Sequence, residues 1–139
     1  MNARIKAEEF FWMMLNCRKS LADIPQNCAQ GETGVLTYLA FIEDEITPSQ
    51  LSEKLKVSMP RIASILNSLE NKLLISKNID NKDKRKTIVT ITKKGKEIVE
   101  NKKEEAINNL AKIMEELEEN EINQYMKITQ KIVGIISKI

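Results

Sequence analysis

The chain contains no histidine in its 139 residues. That absence removes the commonest general base and the commonest zinc ligand together, so the usual catalytic dyads and triads cannot be built. No glycine-rich phosphate loop is present, and no cluster of carboxylates falls on one predicted face. The sequence therefore reads as a non-enzyme, with neither cofactor nor metal expected. Two cysteines, Cys17 and Cys28, are too few for a disulfide scaffold. They are expected as free thiols packed in a reducing cytoplasm, with oxidant sensing by Cys17 the less favoured reading, because sensing needs a lowered pKa and access. Nothing resembles a signal peptide. The apolar run from Phe10 to Leu15 is too short to span a bilayer, so no membrane partner is expected.

What is present suits one globular domain over residues 1–139: 42% hydrophobic and 30% charged residues, with a formal net charge of +2. That small net charge is a cancellation. Residues 1–53 carry 4 basic and 8 acidic side chains, and residues 54–96 carry 12 basic and 3 acidic. Residues 97–121 carry 3 basic and 9 acidic, and residues 122–139 add 3 lysines. A middle third of net +9 is either a solvated lysine-rich face or the electrostatic footprint for a polyanion. Local architecture has to decide between them.

Along the chain, Ile5, Phe10, Phe11, Met13, Met14, Leu15, Cys17 and Leu21 give residues 4–22 a helix with a broad apolar face. Pro25 and Gly31 bracket a loop, and a second helix is expected from Glu32 to Phe41, with a turn at Glu43–Glu45. Thr47 is suited to N-cap a short helix, with Pro48 in its first position, where a missing N–H costs nothing. After a tight turn at Val57, Ser58 reads as another N-cap and Pro60 falls in the opening turn of the next helix. Ile62, Ile65, Leu66 and Leu69 mark the buried side of that helix. Arg61, Ser64, Asn67, Ser68 and Asn71 mark an outer side that is small, polar and free of acid until Glu70. Two short helices joined by a tight turn, the second with such a face, describe a helix-turn-helix.

Two strands follow, expected at Leu74–Lys77 and at Thr87–Thr92, the second rich in β-branched residues. Between them runs a turn-forming segment, Asn78 to Lys86, with cations at its tip. From Thr92, itself an N-cap candidate, the chain reads as helix to its end, interrupted by the acidic cluster Glu115–Glu121. The isoleucine-rich last eighteen residues call for a partner surface.

Thr47 to Leu55 is similar to the first helix of the helix-turn-helix in the MarR family, the multiple-antibiotic-resistance regulators, and Val57 to Lys72 resembles its recognition helix. Asp83-x-Arg85-x-x-x-Val89-x-Ile91-Thr92-x-x-Gly95 follows the family's wing pattern D-x-R-x-x-x-V-x-L-T-x-x-G, with Ile for Leu. The resemblance implies a mainly α fold with a small β-hairpin wing: a winged helix-turn-helix at 32–96, flanked by helical dimerisation segments at 1–24 and 97–139. It implies a homodimeric, cytoplasmic transcription regulator, a repressor on a pseudo-palindromic operator of double-stranded DNA. A small-molecule effector is a further partner it allows. Phe10 to Met14 are candidates for lining such a pocket, although core or dimer packing accounts for them more simply. A winged-helix module for protein–protein assembly, without DNA, is the alternative.

On this reading Ser58 caps the recognition helix and offers a phosphate contact. Met59 and Pro60 lie in its first turn, Arg61 meets a base edge or phosphate, and Ser64 and Asn67 face bases. Arg85 enters the minor groove, Lys82, Lys84 and Lys86 touch the backbone, and Asp83 orients the wing. Leu73 stands where many family members carry the glycine that ends the recognition helix, so a different helix closure is expected there.

Overall fold

The computed structural model describes residues 2–20, 31–136 and 138. Among the described residues the elements follow in the order α1 (Ala3–Ser20), α2 (Glu32–Phe41), β1 (Glu45–Ile46), α3 (Pro48–Leu55), α4 (Met59–Asn71), β2 (Ile75–Ile79), β3 (Thr87–Ile91), α5 (Lys93–Glu115) and α6 (Glu119–Ile136). The fold is mainly helical with a small antiparallel sheet, as the sequence predicts. The loop expected between Pro25 and Gly31, Cys28 and the Cys17 side chain lie outside the described residues. The chain divides into two compact units, one of residues 1–24 and 102–139, the other of residues 25–101.

In the second unit, α3 and α4 each begin on a side-chain cap. Thr47 and Gln50 form a reciprocal capping box, each side-chain oxygen accepting the other's backbone N–H at 3.1 Å. Ser58 Oγ accepts from the Arg61 N–H at 3.4 Å at the start of α4. Between the helices Lys56 takes a left-handed conformation, φ 56°. There the Ser52 hydroxyl donates to the Val57 carbonyl at 2.5 Å, and the Val57 N–H donates back to the Ser52 carbonyl at 3.1 Å. The turn is therefore held from inside by one serine, and Leu51, Val57, Ile62 and Leu66 close the core on either side of it.

The sheet order is β1-β3-β2, both pairs antiparallel. The two-residue strand β1, where only a turn was expected, sets Ile46 opposite Val89, and both are fully buried. Two residues are too short for any alternation to show. β2 begins one residue later and ends two later than expected, because Asn78 and Ile79 pair with Ile88 and Thr87 instead of turning. Ser76 and Thr90, directly opposed, share a hydroxyl hydrogen bond at 2.8 Å. The core of this unit also takes in Val35 and Leu39 of α2, Leu69 of α4 and Val99 of α5.

The closure of α4 corrects the expectation at Leu73. The Leu74 N–H donates to the Leu69 carbonyl and the Leu73 N–H to the Glu70 carbonyl, both at 2.9 Å, which is a complete Schellman motif. Leu73 supplies its left-handed residue, φ 63°, with a side chain 67% exposed. The motif persists without glycine because the next residue, Leu74, is drawn into the core. A bulky residue held left-handed costs on the order of 1–2 kcal/mol. Leu73→Gly removes that strain and no buried contact, and adds back backbone entropy in the unfolded chain. A net gain of about 0.5–1 kcal/mol is expected by urea denaturation; a loss of stability would show that the Leu73 side chain contributes more than the strain costs.

In the other unit Ala7, Ile107, Met114 and Ile122 form the core, with Phe10 and Met126 packed against it. The rings of Phe10 and Tyr125 lie 5.6 Å apart. Arg4 joins α1 to α5 by hydrogen bonds to Asn108 Oδ1 at 2.7 Å and Glu104 Oε2 at 2.5 Å. Much apolar surface stays outside this core: Tyr125, Ile128, Ile132 and Ile135, spaced 3, 4 and 3 along α6, are all at least half exposed. Among the described residues no helix is long and apolar enough to cross a membrane.

Candidate nucleic-acid interface

The recognition helix candidate, α4, divides as its sequence spacing requires. Ile62, Ile65, Leu66 and Leu69 are buried, while Ser58, Met59, Pro60, Arg61, Ser64 and Asn67 are exposed. Ser58 and Pro60 shape the first turn: the serine hydroxyl satisfies one N–H, and proline sits where no intrahelical bond is lost. The amino end of α4 thus presents the positive end of the helix dipole beside Arg61, with the Arg61 and Ile62 N–H groups both held by Ser58. Met59, 47% exposed, is the one large apolar side chain on this face.

The wing loop, residues 80–86, is closed by backbone bonds from the Asp80 N–H to the Lys86 carbonyl (2.9 Å) and from the Lys86 N–H to the Asp83 carbonyl (3.0 Å). Asp80 Oδ1 accepts the Lys82 N–H at 3.0 Å. Asp83 Oδ1 takes both the backbone N–H of Arg85 at 3.1 Å and its side-chain Nε–H at 3.2 Å. Those two bonds, the backbone one first, hold the Asp83 carboxyl below the usual carboxylate range, with Lys86 adding to the effect. The carboxylate thus both folds the turn and restrains the root of the guanidinium, while the Arg85 side chain stays 91% exposed. Lys82, Lys84 and Lys86 are exposed around it.

The remaining positions of the wing pattern have structural work. Val89 is fully buried and Ile91 nearly so. The Thr92 hydroxyl donates to the Leu73 carbonyl at 2.7 Å and accepts the Gly95 N–H at 3.1 Å, so it caps α5 and ties it to the end of α4. Gly95 is the point of closest approach, where an added Cβ would run into the Leu74 carbonyl. The pattern is thus mostly a prescription for holding the wing, with Arg85 its one exposed cation.

One residue of this surface was not singled out from the sequence. Lys77 of β2 donates from Nζ to Asn67 Oδ1 at 2.6 Å and lies 3.7 Å from Glu70 Oε1, linking the strand to the outer face of α4. Only its place in a strand beside the helix-turn-helix hinted at it. Among the described residues no group of three His, Cys, Asp or Glu side chains is arranged to hold a metal ion.

Residues 32–114 match the family described as winged helix DNA-binding domain. FabT of Streptococcus pneumoniae, solved in complex with DNA, is 26% identical and superposes with a TM-score of 0.67 over 77% of this chain and 74% of that one. A transcriptional regulator of Thermotoga maritima is 25% identical, TM-score 0.60, over 97% of this chain and 93% of the other. A MarR family protein of Bacillus stearothermophilus, 20% identical, shares the fold with a TM-score of 0.67 over 90% of this chain and 85% of the other. No curated protein matches the chain significantly. The capped α4, the basic wing and its D-x-R to Gly pattern agree with the match. The chain belongs to the winged helix DNA-binding domain family, and its fold is shared with a MarR family protein of known structure.

Proposed function

We propose that the chain acts in the cytoplasm as a homodimeric repressor on a pseudo-palindromic operator, released by a small-molecule effector. Each subunit lays α4 in a major groove, with Ser58, Met59, Pro60, Arg61, Ser64 and Asn67 toward the bases and phosphates. The wing, with Lys82, Lys84, Arg85 and Lys86, lies along the flanking minor groove, whose concentrated negative potential suits an exposed arginine. The observation that carries this reading is the pairing, within one folded unit, of an exposed helix face around Arg61 with a wing whose Asp83 restrains a 91% exposed Arg85. The α6 stripe Tyr125, Ile128, Ile132 and Ile135 supports self-association, since its spacing is that of a helix-packing seam and its side chains are exposed in one chain.

The test is an operator selected from a random DNA pool and titrated by fluorescence anisotropy. Two chains per site are expected, and Arg61→Ala combined with Arg85→Ala is expected to weaken binding about a hundredfold. Unchanged affinity in the double variant would refute the placement of both residues.

A further inference from the structure

Asn67 and Glu70 stand one turn apart on α4, and a single ammonium, that of Lys77, reaches both. The Lys77 side chain is only 24% exposed, against 53% for Lys54 and 55% for Lys72, lysines that also carry ion pairs. It is therefore a lysine laid down along the protein, with its head fixed beside Asn67, itself exposed on the outer face with Arg61 and Ser64.

This contact changes what Asn67 can recognise. An asparagine normally offers its carbonyl oxygen and its amino group side by side, which matches the N6 donor and N7 acceptor of adenine. Here the oxygen already accepts from a cation at 2.6 Å. An adenine amino group would have to approach an engaged oxygen with a positive charge beside it. With that oxygen engaged and a cation beside its second lone pair, what the pair offers a base best is donors, the Asn67 amino group and the remaining Lys77 N–H groups. Two donors side by side match the O6 and N7 acceptors of guanine.

We infer that Lys77 and Asn67 read a base as a pair: by engaging Asn67 Oδ1 and setting its own N–H groups beside the Asn67 amino group, Lys77 turns an adenine reader into a guanine reader. Glu70 keeps the ammonium from swinging out to the phosphates. The inference rests on the proposed placement of α4 in the major groove.

The test uses the full chain and single-base variants of its selected operator. The relevant position is the one at which Asn67→Ala abolishes base preference. Wild-type protein is expected to prefer guanine there, and 7-deazaguanine, which lacks only the N7 acceptor, is expected to weaken binding about tenfold. Lys77→Met is expected to move the preference at that position from guanine to adenine and to leave the other positions unchanged, a shift that a structural role for Lys77 does not produce. Wild-type preference for adenine, no response to 7-deazaguanine, or an equal loss on all four bases in Lys77→Met would each overturn the inference. The wild-type arm needs no variant to fold. Absence of DNA binding at low salt would instead remove the groove placement itself, and the inference with it.

Discussion

Raising the salt from about 50 to about 200 mM is expected to weaken operator binding roughly ten-thousandfold. The expectation follows from charge placement. Residues 54–96 hold 12 basic against 3 acidic side chains, and Lys82, Lys84, Arg85 and Lys86 are all exposed. If each subunit neutralises about four phosphates, a dimer displaces about eight, and log K falls against log salt with a slope near −7. Anisotropy titrations across a salt series measure that slope directly. The acidic segments 1–53 and 97–121 do not reduce it if they stay more than a Debye length, roughly 10 Å, from the DNA. A slope near zero with intact binding would mean that the wing cations stay solvated and that contact is made by other groups.

Gly95→Ala is expected to cost about 3 kcal/mol of folding stability. The added Cβ would meet the Leu74 carbonyl and, at 2.7 Å, Ile91 Cγ1. The first is backbone and is not free to yield: the Leu74 carbonyl already accepts the Thr92 N–H at 3.0 Å. Moving it breaks that bond and disturbs the Thr92 hydroxyl, which joins the Leu73 carbonyl to the first turn of α5. The damage therefore falls on the junction that closes α4 and seats the wing, and operator affinity should fall together with stability. Gly134→Ala is the control, since nothing lies within 4 Å of a Cβ there. In the last turn of α6 that change should stabilise by up to roughly 0.5 kcal/mol. Urea unfolding of both variants decides; equal effects would show that Gly95 serves something other than close approach.

Much of the winged-helix unit was legible because its signals are local. Thr47 and Ser58 announce helix starts through their own hydroxyls, and the spacing of Ile62, Ile65, Leu66 and Leu69 places one side of α4 without reference to anything else. The wing was legible for the same reason: Asp83 and Arg85 meet each other two residues apart. What escaped depends on residues far apart in the chain. β1 exists only because Glu45 and Ile46 find Thr90 and Val89. The Lys77 contact joins residues ten apart on different elements. Leu73 was read by its type, which disfavours positive φ, and the outcome was set by its neighbour Leu74, whose burial brings the chain round. The candidate base-reading residues were legible as the exposed side of α4, while the contact on Asn67 Oδ1 comes from a strand that follows the helix.

The left-handed leucine has a consequence for how this gene can drift. The residues that accept that backbone conformation most readily are glycine, asparagine and aspartate. No leucine codon becomes a codon for any of them by a single base change. The commonest one-step replacements include valine, isoleucine, phenylalanine and proline, and each tolerates the conformation no better or forbids it. Position 73 is therefore partly fenced in by the genetic code: glycine, asparagine and aspartate are two mutations away, histidine is one step away from the codons CTT and CTC alone, and several of the other single steps lead downhill.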